Sequence, residues 1–168
     1  MKNIKIRAIE NSDLEKISKI HVDVWNETYR GIIPDKILDQ KTYDRSLETW
    51  KEFYKPHSTK DFYYLCEVHG ELAGFCIATL SPRDDLGFDS ELMAINILKK
   101  FHNQGIGKAL FNACKKSLKN AGARNVYLWV AQKNINAVNF YKHLGGKDLH
   151  KTHEEWEGVV EIALGWDF

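Results

Sequence analysis

The sequence predicts an α/β chain built on one mixed, mostly antiparallel sheet that contains a single parallel strand pair. Two observations carry that fold class. The β-rich runs 62–68 and 72–80 are separated only by His69-Gly70-Glu71, which predicts an antiparallel hairpin. The apolar run 92–98 leads through Gly105-Ile106-Gly107 into an amphipathic helix, and that helix leads into 126–130, a short continuous apolar run typical of a buried strand. Strand, glycine turn, helix and strand form a βαβ unit, whose strands run parallel and are joined by a right-handed crossover.

The remaining elements follow in order. Ile4, Ile6 and Ala8 alternate with charged residues and predict a first strand with one buried face. Ser12-Asp13-Leu14-Glu15 has the form of a capping box, opening a helix whose apolar face is Leu14, Ile17, Ile20, His21, Val24 and Trp25. From Trp25 to Asp35 the helical period is lost, so a loop is expected that enters a second helix near Pro34, whose fixed φ suits a first helical turn. Residues 43–55 predict another helix, with Leu47, Trp50 and Tyr54 on one side, and Pro56-His57-Ser58-Thr59 ends it. Residues 81–90 form a polar connection. The helix after the glycines places Ile106, Leu110, Ala113, Cys114, Ser117 and Leu118 on one face and closes at Gly122. Residues 134–144 predict a last helix, with Ala137, Phe140, Tyr141 and Leu144 at i, i+3, i+4 and i+7, and runs near 147–153 and 159–166 predict a final hairpin. With no internal repeat or linker, residues 1–168 are expected to form one domain, long enough to bury a core without staples.

Bulk properties narrow the function. Lys plus Arg number 24 and Asp plus Glu 23, so no one-signed field argues for nucleic acid or an anionic membrane. The start, Met1-Lys2-Asn3-Ile4-Lys5-Ile6-Arg7, has no apolar signal core, and the longest apolar stretch, near Phe75 to Leu80, is too short to span a bilayer. A soluble, cytoplasmic protein with a small partner is expected. The three cysteines form no metal-spaced cluster, Cys66 and Cys76 read as buried strand positions, and no structural disulfide is expected. His150-x-x-His153 lacks further ligands in sequence, so no metal is expected.

The stretch around Gly105-Ile106-Gly107 has the form of a phosphate cradle. Glycines let the backbone turn tightly, and the free N–H groups of a helix's first turn can then face an anion. A P-loop would need Gly-Lys-Ser/Thr after four intervening residues, which Lys108 does not satisfy. A Rossmann turn would need a small residue where Leu110 stands, and a repeated parallel sheet.

The whole run Ile95-Asn-Ile-Leu-Lys-Lys-Phe-His-Asn-Gln-Gly-Ile-Gly-Lys-Ala-Leu resembles the acyl-CoA-binding motif of the GCN5-related N-acetyltransferases (GNAT), commonly written Arg/Gln-x-x-Gly-x-Gly/Ala. Asn134-x-x-Ala137-x-x-Phe140-Tyr141-x-x-Leu144-Gly145 looks like the second signature of that family. The order of predicted elements matches it too, so the resemblance covers essentially the whole chain. It implies the GNAT-like acyl-CoA N-acyltransferase fold, with helices on both faces and the parallel strands 92–98 and 126–131 splayed so that pantetheine enters the gap.

The resemblance also implies site residues. Main-chain groups of Ile95 and Ile97 would pair with pantetheine, and amides of Asn103, Gln104, Gly105, Ile106, Gly107 and Lys108 would hold the pyrophosphate. Asn134 would orient pantetheine or the acyl end, or cap its helix; both roles are compatible. Tyr141 stands where the family commonly has its general acid, and its alternative is a core tyrosine. Glu91 matches a glutamate base acting through water, against a solvated strand-end carboxylate; Asp89 is the next candidate. Trp25 and Tyr29 are candidates for a substrate wall or for packing. Lys99 and Lys100 read as solvated rather than as contacts to a 3′-phosphate.

Two positions depart from the family pattern. His102 replaces the usual Arg or Gln and either contacts the cofactor or packs at the strand end. Gly146 replaces an aromatic, which predicts looser packing of the last helix on the final hairpin and more room near the acyl pocket.

The activity implied is transfer of acetyl from acetyl-CoA, the co-substrate, to a primary amine of a small molecule by direct attack in a ternary complex, without a metal. A protein or peptide N-acetyltransferase and a non-catalytic acyl-CoA-binding regulatory module are the alternatives. Glu27, Asp35, Asp84, Asp85 and Asp89, in the loops 25–35 and 81–90, hint at a cationic acceptor. Neither nucleic acid nor membrane is expected as a partner, and a homodimer stays open.

Overall fold

Alternating strands at the edges and continuous apolar runs at the centre build a single sheet. The computed structural model describes residues 4–168; Met1 to Asn3, the start of the segment read as lacking a signal core, lie outside the described residues. The strands are β1 (Ile4–Ala8), β2 (Asp61–Val68), β3 (Glu71–Thr79), β4 (Glu91–Ile97), β5 (Asn125–Ala131), β6 (Lys147–Trp156) and β7 (Val159–Asp167), in the order β1-β2-β3-β4-β5-β7-β6. Neighbours are antiparallel except β4 and β5, which are parallel as the βαβ pattern requires. His69 and Gly70, both at positive φ, turn the β2–β3 hairpin, matching the twist of the flanking strands.

Helices cover both faces. On one, α4 (Ile106–Asn120) and α5 (Ile135–His143) bury Leu110, Cys114, Leu118 and Val138 against Cys66, Leu92, Val126 and Leu128. On the other, α1 (Leu14–Tyr29) and α3 (Tyr43–Phe53) bury Ile17, Ile20, Val24 and Trp50 against Leu65, Phe75 and Ile77. The short α2 (Asp35–Leu38) completes a third cluster, in which Ile33 and Leu38 meet Ala131 and Val159, with Trp25, Tyr29 and Trp156 around them. No described helix is long and apolar enough to cross a membrane.

Three local expectations are corrected. The helical period does not end at Trp25: α1 runs on to Tyr29, because Trp25 and Tyr29 stand at i and i+4 and their rings meet at 5.1 Å on one face. The capping box is formed not by Ser12 and Glu15 but by Glu10 and Asp13, on a short 3₁₀ turn over Asn11–Asp13 that leads into α1. The Asp13 carboxylate accepts the Glu10 N–H at 2.9 Å and is held by Arg7 at 2.6 Å, so the strand before the helix supplies the counter-charge that selects this cap.

The third correction concerns Gly146. A Cβ there would lie 2.7 Å from the Trp166 ring and 2.9 Å from the Tyr141 carbonyl, so no extra room is left. The indole of Trp166, from β7, fills the space, and its Nε1–H donates to the Leu144 carbonyl at 3.0 Å. The aromatic that packs α5 onto the final hairpin thus comes from the hairpin.

Candidate active site

The sheet opens between β4 and β5. The two strands are in register only at Glu91 and Tyr127, where the Tyr127 N–H donates to the Ser90 carbonyl at 3.1 Å. Leu92 pairs with Ala78 and Ala94 with Ile77, so Met93 is the extra residue of a β-bulge in β4. Beyond it the Leu98 N–H donates to the Ala73 carbonyl at 3.0 Å, towards β3. Successive residues of a strand point their main-chain groups to opposite edges, so those of Ile95 and Ile97 face the gap.

The gap leads to the cradle. Asn103 and Gly105 are both left-handed, with φ of 56° and 81°, and turn the chain into α4. The amides of Ile106, Gly107 and Lys108 open the helix, so they have no carbonyl four residues back within it. Nothing lies within 4 Å of the Cβ position of Gly105, whereas a Cβ on Gly107 would meet the Phe140 ring at 2.8 Å. A turn, a bare helix end and glycines that permit close approach fit a pyrophosphate. His102 is exposed, and its Nε2 lies 2.9 Å from the Ile97 carbonyl, so the imidazole bridges the strand end and the cradle. Lys100 pairs with Glu71.

Tyr141 lies on α5, beside Phe140 and 6.2 Å from the Trp166 ring. Only 8% exposed, its phenol is pushed well above its ordinary pKa, by burial first and then by the neighbouring Tyr29 and Cys76. Asn134 caps α5 by accepting the Ala137 N–H at 3.3 Å. Burial and the charge of Glu161 also raise the Tyr29 pKa, while the nearby Asn134 amide acts in the opposite direction. Tyr29, Asn134 and Tyr141 therefore gather at one end of the gap. Trp25 packs edge-on to Trp156 at 5.7 Å, and the Lys41 ammonium sits 3.6 Å over its ring. Lys36 pairs with Glu157 at 3.2 Å, tying α2 to the β6–β7 turn.

Glu91 is not a solvated carboxylate: its side chain is fully buried. One oxygen accepts Arg83 Nε at 2.7 Å and Nη2 at 2.6 Å. The other accepts the Arg83 N–H at 2.9 Å and the Tyr127 hydroxyl at 3.2 Å. Four donors occupy the lone-pair directions a carboxylate has, leaving none aimed at a water that it could activate. Asp89 is bound by Arg124 at 2.9 Å.

A group not foreseen in sequence lies on the face that carries α1. Glu161 is directly opposite Ala131 on β5 and His153 on β6, so these side chains point to the same side of the sheet as the Trp25 and Tyr29 cluster. The His153 Nε2 is 3.1 Å from Glu161 and 3.3 Å from Glu155. The His153 ring also packs on Trp129 at 4.1 Å, and the Trp129 indole N–H donates to Asp84 at 2.9 Å. Burial raises the Glu161 pKa, and Glu155 adds to the rise, with His153 and Arg83 opposing it. The available signal was a lone acid inside the otherwise apolar run Val159 to Trp166.

An open parallel pair, an anion cradle at the following helix and a buried tyrosine beside the gap define an acyl-CoA N-acyltransferase fold. A sequence model of the acetyltransferase (GNAT) family matches residues 9–145, and the chain belongs to that family, whose members take acetyl from acetyl-CoA. The uncharacterized N-acetyltransferase YuaI of Bacillus subtilis is 29% identical over 165 residues, 97% of this chain and 92% of its own. An N-alpha-acetyltransferase of Sulfurisphaera tokodaii is 28% identical over 160 residues, 88% of this chain and 83% of its own. Among solved structures, the PaiA N-acetyltransferase from Thermoplasma acidophilum in complex with coenzyme A superposes with a TM-score of 0.75 at 19% identity, covering 99% of both chains.

Proposed function

We propose that this N-acetyltransferase acetylates a primary amine of a small molecule by direct attack on the thioester in a ternary complex, in the cytoplasm. The observation that carries the reading is the opening of the sheet beyond Glu91 and Tyr127, with Tyr29, Asn134 and Tyr141 at one end and the cradle at the other. Amides of Asn103 to Lys108 hold the pyrophosphate, and main-chain groups of Ile95 and Ile97 pair with pantetheine. His102 shares the Ile97 carbonyl, so it adjusts when pantetheine enters. Asn134 keeps its cap and orients the acyl end.

Tyr141 gives its proton to the departing thiolate. Burial keeps the phenol protonated, and it also makes a lasting phenolate costly, so the proton from the attacking nitrogen returns to Tyr141 as the thiolate is quenched. Glu91 anchors Arg83 and the 81–90 connection beside the acceptor. Trp25 and Trp156 pack together beside Tyr29 at this end of the gap, an aromatic wall that suits a small amine. Three free cysteines accord with a reducing compartment.

A peptide α-amine is a second reading, favoured by the similarity to the Sulfurisphaera tokodaii N-alpha-acetyltransferase. Thiol release from acetyl-CoA tests both. Polyamines, amino acids and aminoglycosides form one arm, and short peptides with free N-termini the other. Release with a small amine and none with peptides is expected. No acceptor-dependent release in either arm, with coenzyme A still bound, would sink the catalytic reading.

A further inference from the structure

Three of the five acids that the sequence offered for a cationic acceptor are engaged elsewhere. Asp35 pairs with Arg30 at 2.8 Å, Asp89 with Arg124, and Asp84 accepts from Trp129. Glu91 is saturated. Glu161 differs in each respect: its side chain is 16% exposed, its partner is a histidine rather than an arginine, and it shares a face with Ala131 next to Tyr29. We propose that the Glu161 carboxylate receives the acceptor's ammonium group and takes its first proton, with His153 holding it in position.

This inference rests on acetyl transfer to an amine, and the proton balance is as follows. The acceptor arrives as R–NH₃⁺, and one proton passes to a Glu161 oxygen, freeing the nitrogen lone pair. That lone pair attacks the thioester carbonyl carbon. The N–C bond forms, and the C–S bond breaks with its electrons going to sulfur. The thiolate takes the Tyr141 hydroxyl proton, and the surplus proton on nitrogen returns to the Tyr141 oxygen. The Glu161 proton then passes to water, which reaches the carboxylate because its side chain is 16% exposed.

The groups facing Glu161 set its charge. His153 and Glu155 approach from β6, Arg83 from the connection before β4, and Tyr29 from α1. Trp129 stacks on His153 and fixes the imidazole. His153 is therefore a positioning residue, and Glu161 is the group that meets the substrate.

The test compares the wild type with Glu161→Gln, using an alkylamine that is charged at pH 7 and a hydrazide that is neutral there. For the alkylamine, kcat/KM is expected to fall by about 100-fold or more, within the range of general base contributions. For the hydrazide the fall is expected to be less than about tenfold, because no proton has to be removed first. Acetyl-CoA affinity, measured by calorimetry, should be unchanged and reports a folded variant. If Glu161→Gln does not fold, His153→Gln reads the same role: loss of the imidazole hydrogen bond to Glu161 should move the acidic limb of the pH profile to higher pH. Equal losses with both acceptors, or an acidic limb unmoved in His153→Gln, would overturn the proposal. So would wild-type activity lost to a chelator and restored by Zn²⁺ or Mn²⁺, which would make His153, Glu155 and Glu161 a cation site. A wild type inert to every amine overturns the parent reading as well, whereas an active wild type with an unaffected Glu161→Gln overturns only this one.

Discussion

The edge of the Phe140 ring lies 2.8 Å from where a Cβ on Gly107 would stand. The second glycine of the cradle is thus required by α5, which links the two sequence signatures physically. Gly107→Ala should be destabilising by about 1–3 kcal/mol in urea denaturation, although alanine favours a helix interior, because overpacking outweighs propensity. Phe140→Leu combined with Gly107→Ala should recover part of that loss. Strict additivity of the two changes would show that the contact carries no energy.

Arg83 supplies three of the four donors around the buried Glu91 carboxylate, and Tyr127 the fourth. Arg83→Ala should therefore cost about 2–3 kcal/mol of stability, below the range for breaking a fully buried pair, since half of the Arg83 side chain is exposed and water can partly replace it. Chemical denaturation measures the loss. A change below about 0.5 kcal/mol, the size of an ordinary surface substitution, would show that the pair is not structural.

Tyr141→Phe removes one hydroxyl and leaves the ring packed on Phe140 and Trp166. Turnover should fall by about 100-fold while acetyl-CoA affinity stays within about twofold, as expected for a general acid. Steady-state kinetics with equilibrium binding separate the two effects, and unchanged turnover would remove Tyr141 from the reaction.

His21 lies among Trp25, Trp50 and Phe75, and burial lowers its pKa from 6.5 to about 4. The unfolded chain takes up this proton below pH 6.5 and the folded chain does not, so the contribution is fully present above pH 6.5 and is lost as pH falls towards 4. Since His21 is only partly shielded, the loss should be about 1–3 kcal/mol, and His21→Phe should flatten stability over that window. A wild-type melting temperature that does not change between those pH values would contradict the shift.

Local chemistry made much of this fold legible. His69-Gly70 could turn only a tight hairpin, and the glycines before α4 announced both the helix and the parallel pair. What escaped the sequence depended on partners distant along the chain. The Trp25–Tyr29 pair that carries α1 on to Tyr29 is buried by Trp156, which meets Trp25 from across the molecule. The environment of Glu91 is set by the path of the 81–90 connection, which returns Arg83 and its own N–H to the strand. Glu161 was hidden because its facing of His153 depends on register shifts in the β6–β7 ladder, between Asp148 and Thr152 and between Glu154 and Trp156, which residue types do not reveal. Gly146 misled because the compensating aromatic, Trp166, stands twenty residues later.

Pairing of β4 with β5 only at Glu91 and Tyr127 divides the sheet's backbone lacing into two half-sheets, β1–β4 and β5–β7. A pantetheine amide chain lying along Ile95 and Ile97 would then serve as missing secondary structure, not only as a carrier of acetyl. A ligand that binds only the folded form stabilises it by about 2.7 kcal/mol at a hundred times its dissociation constant, and here that stabilisation falls on one seam. The acetyl-CoA concentration would therefore govern the cooperativity of the fold itself, deciding how tightly the melting of one half-sheet is coupled to that of the other.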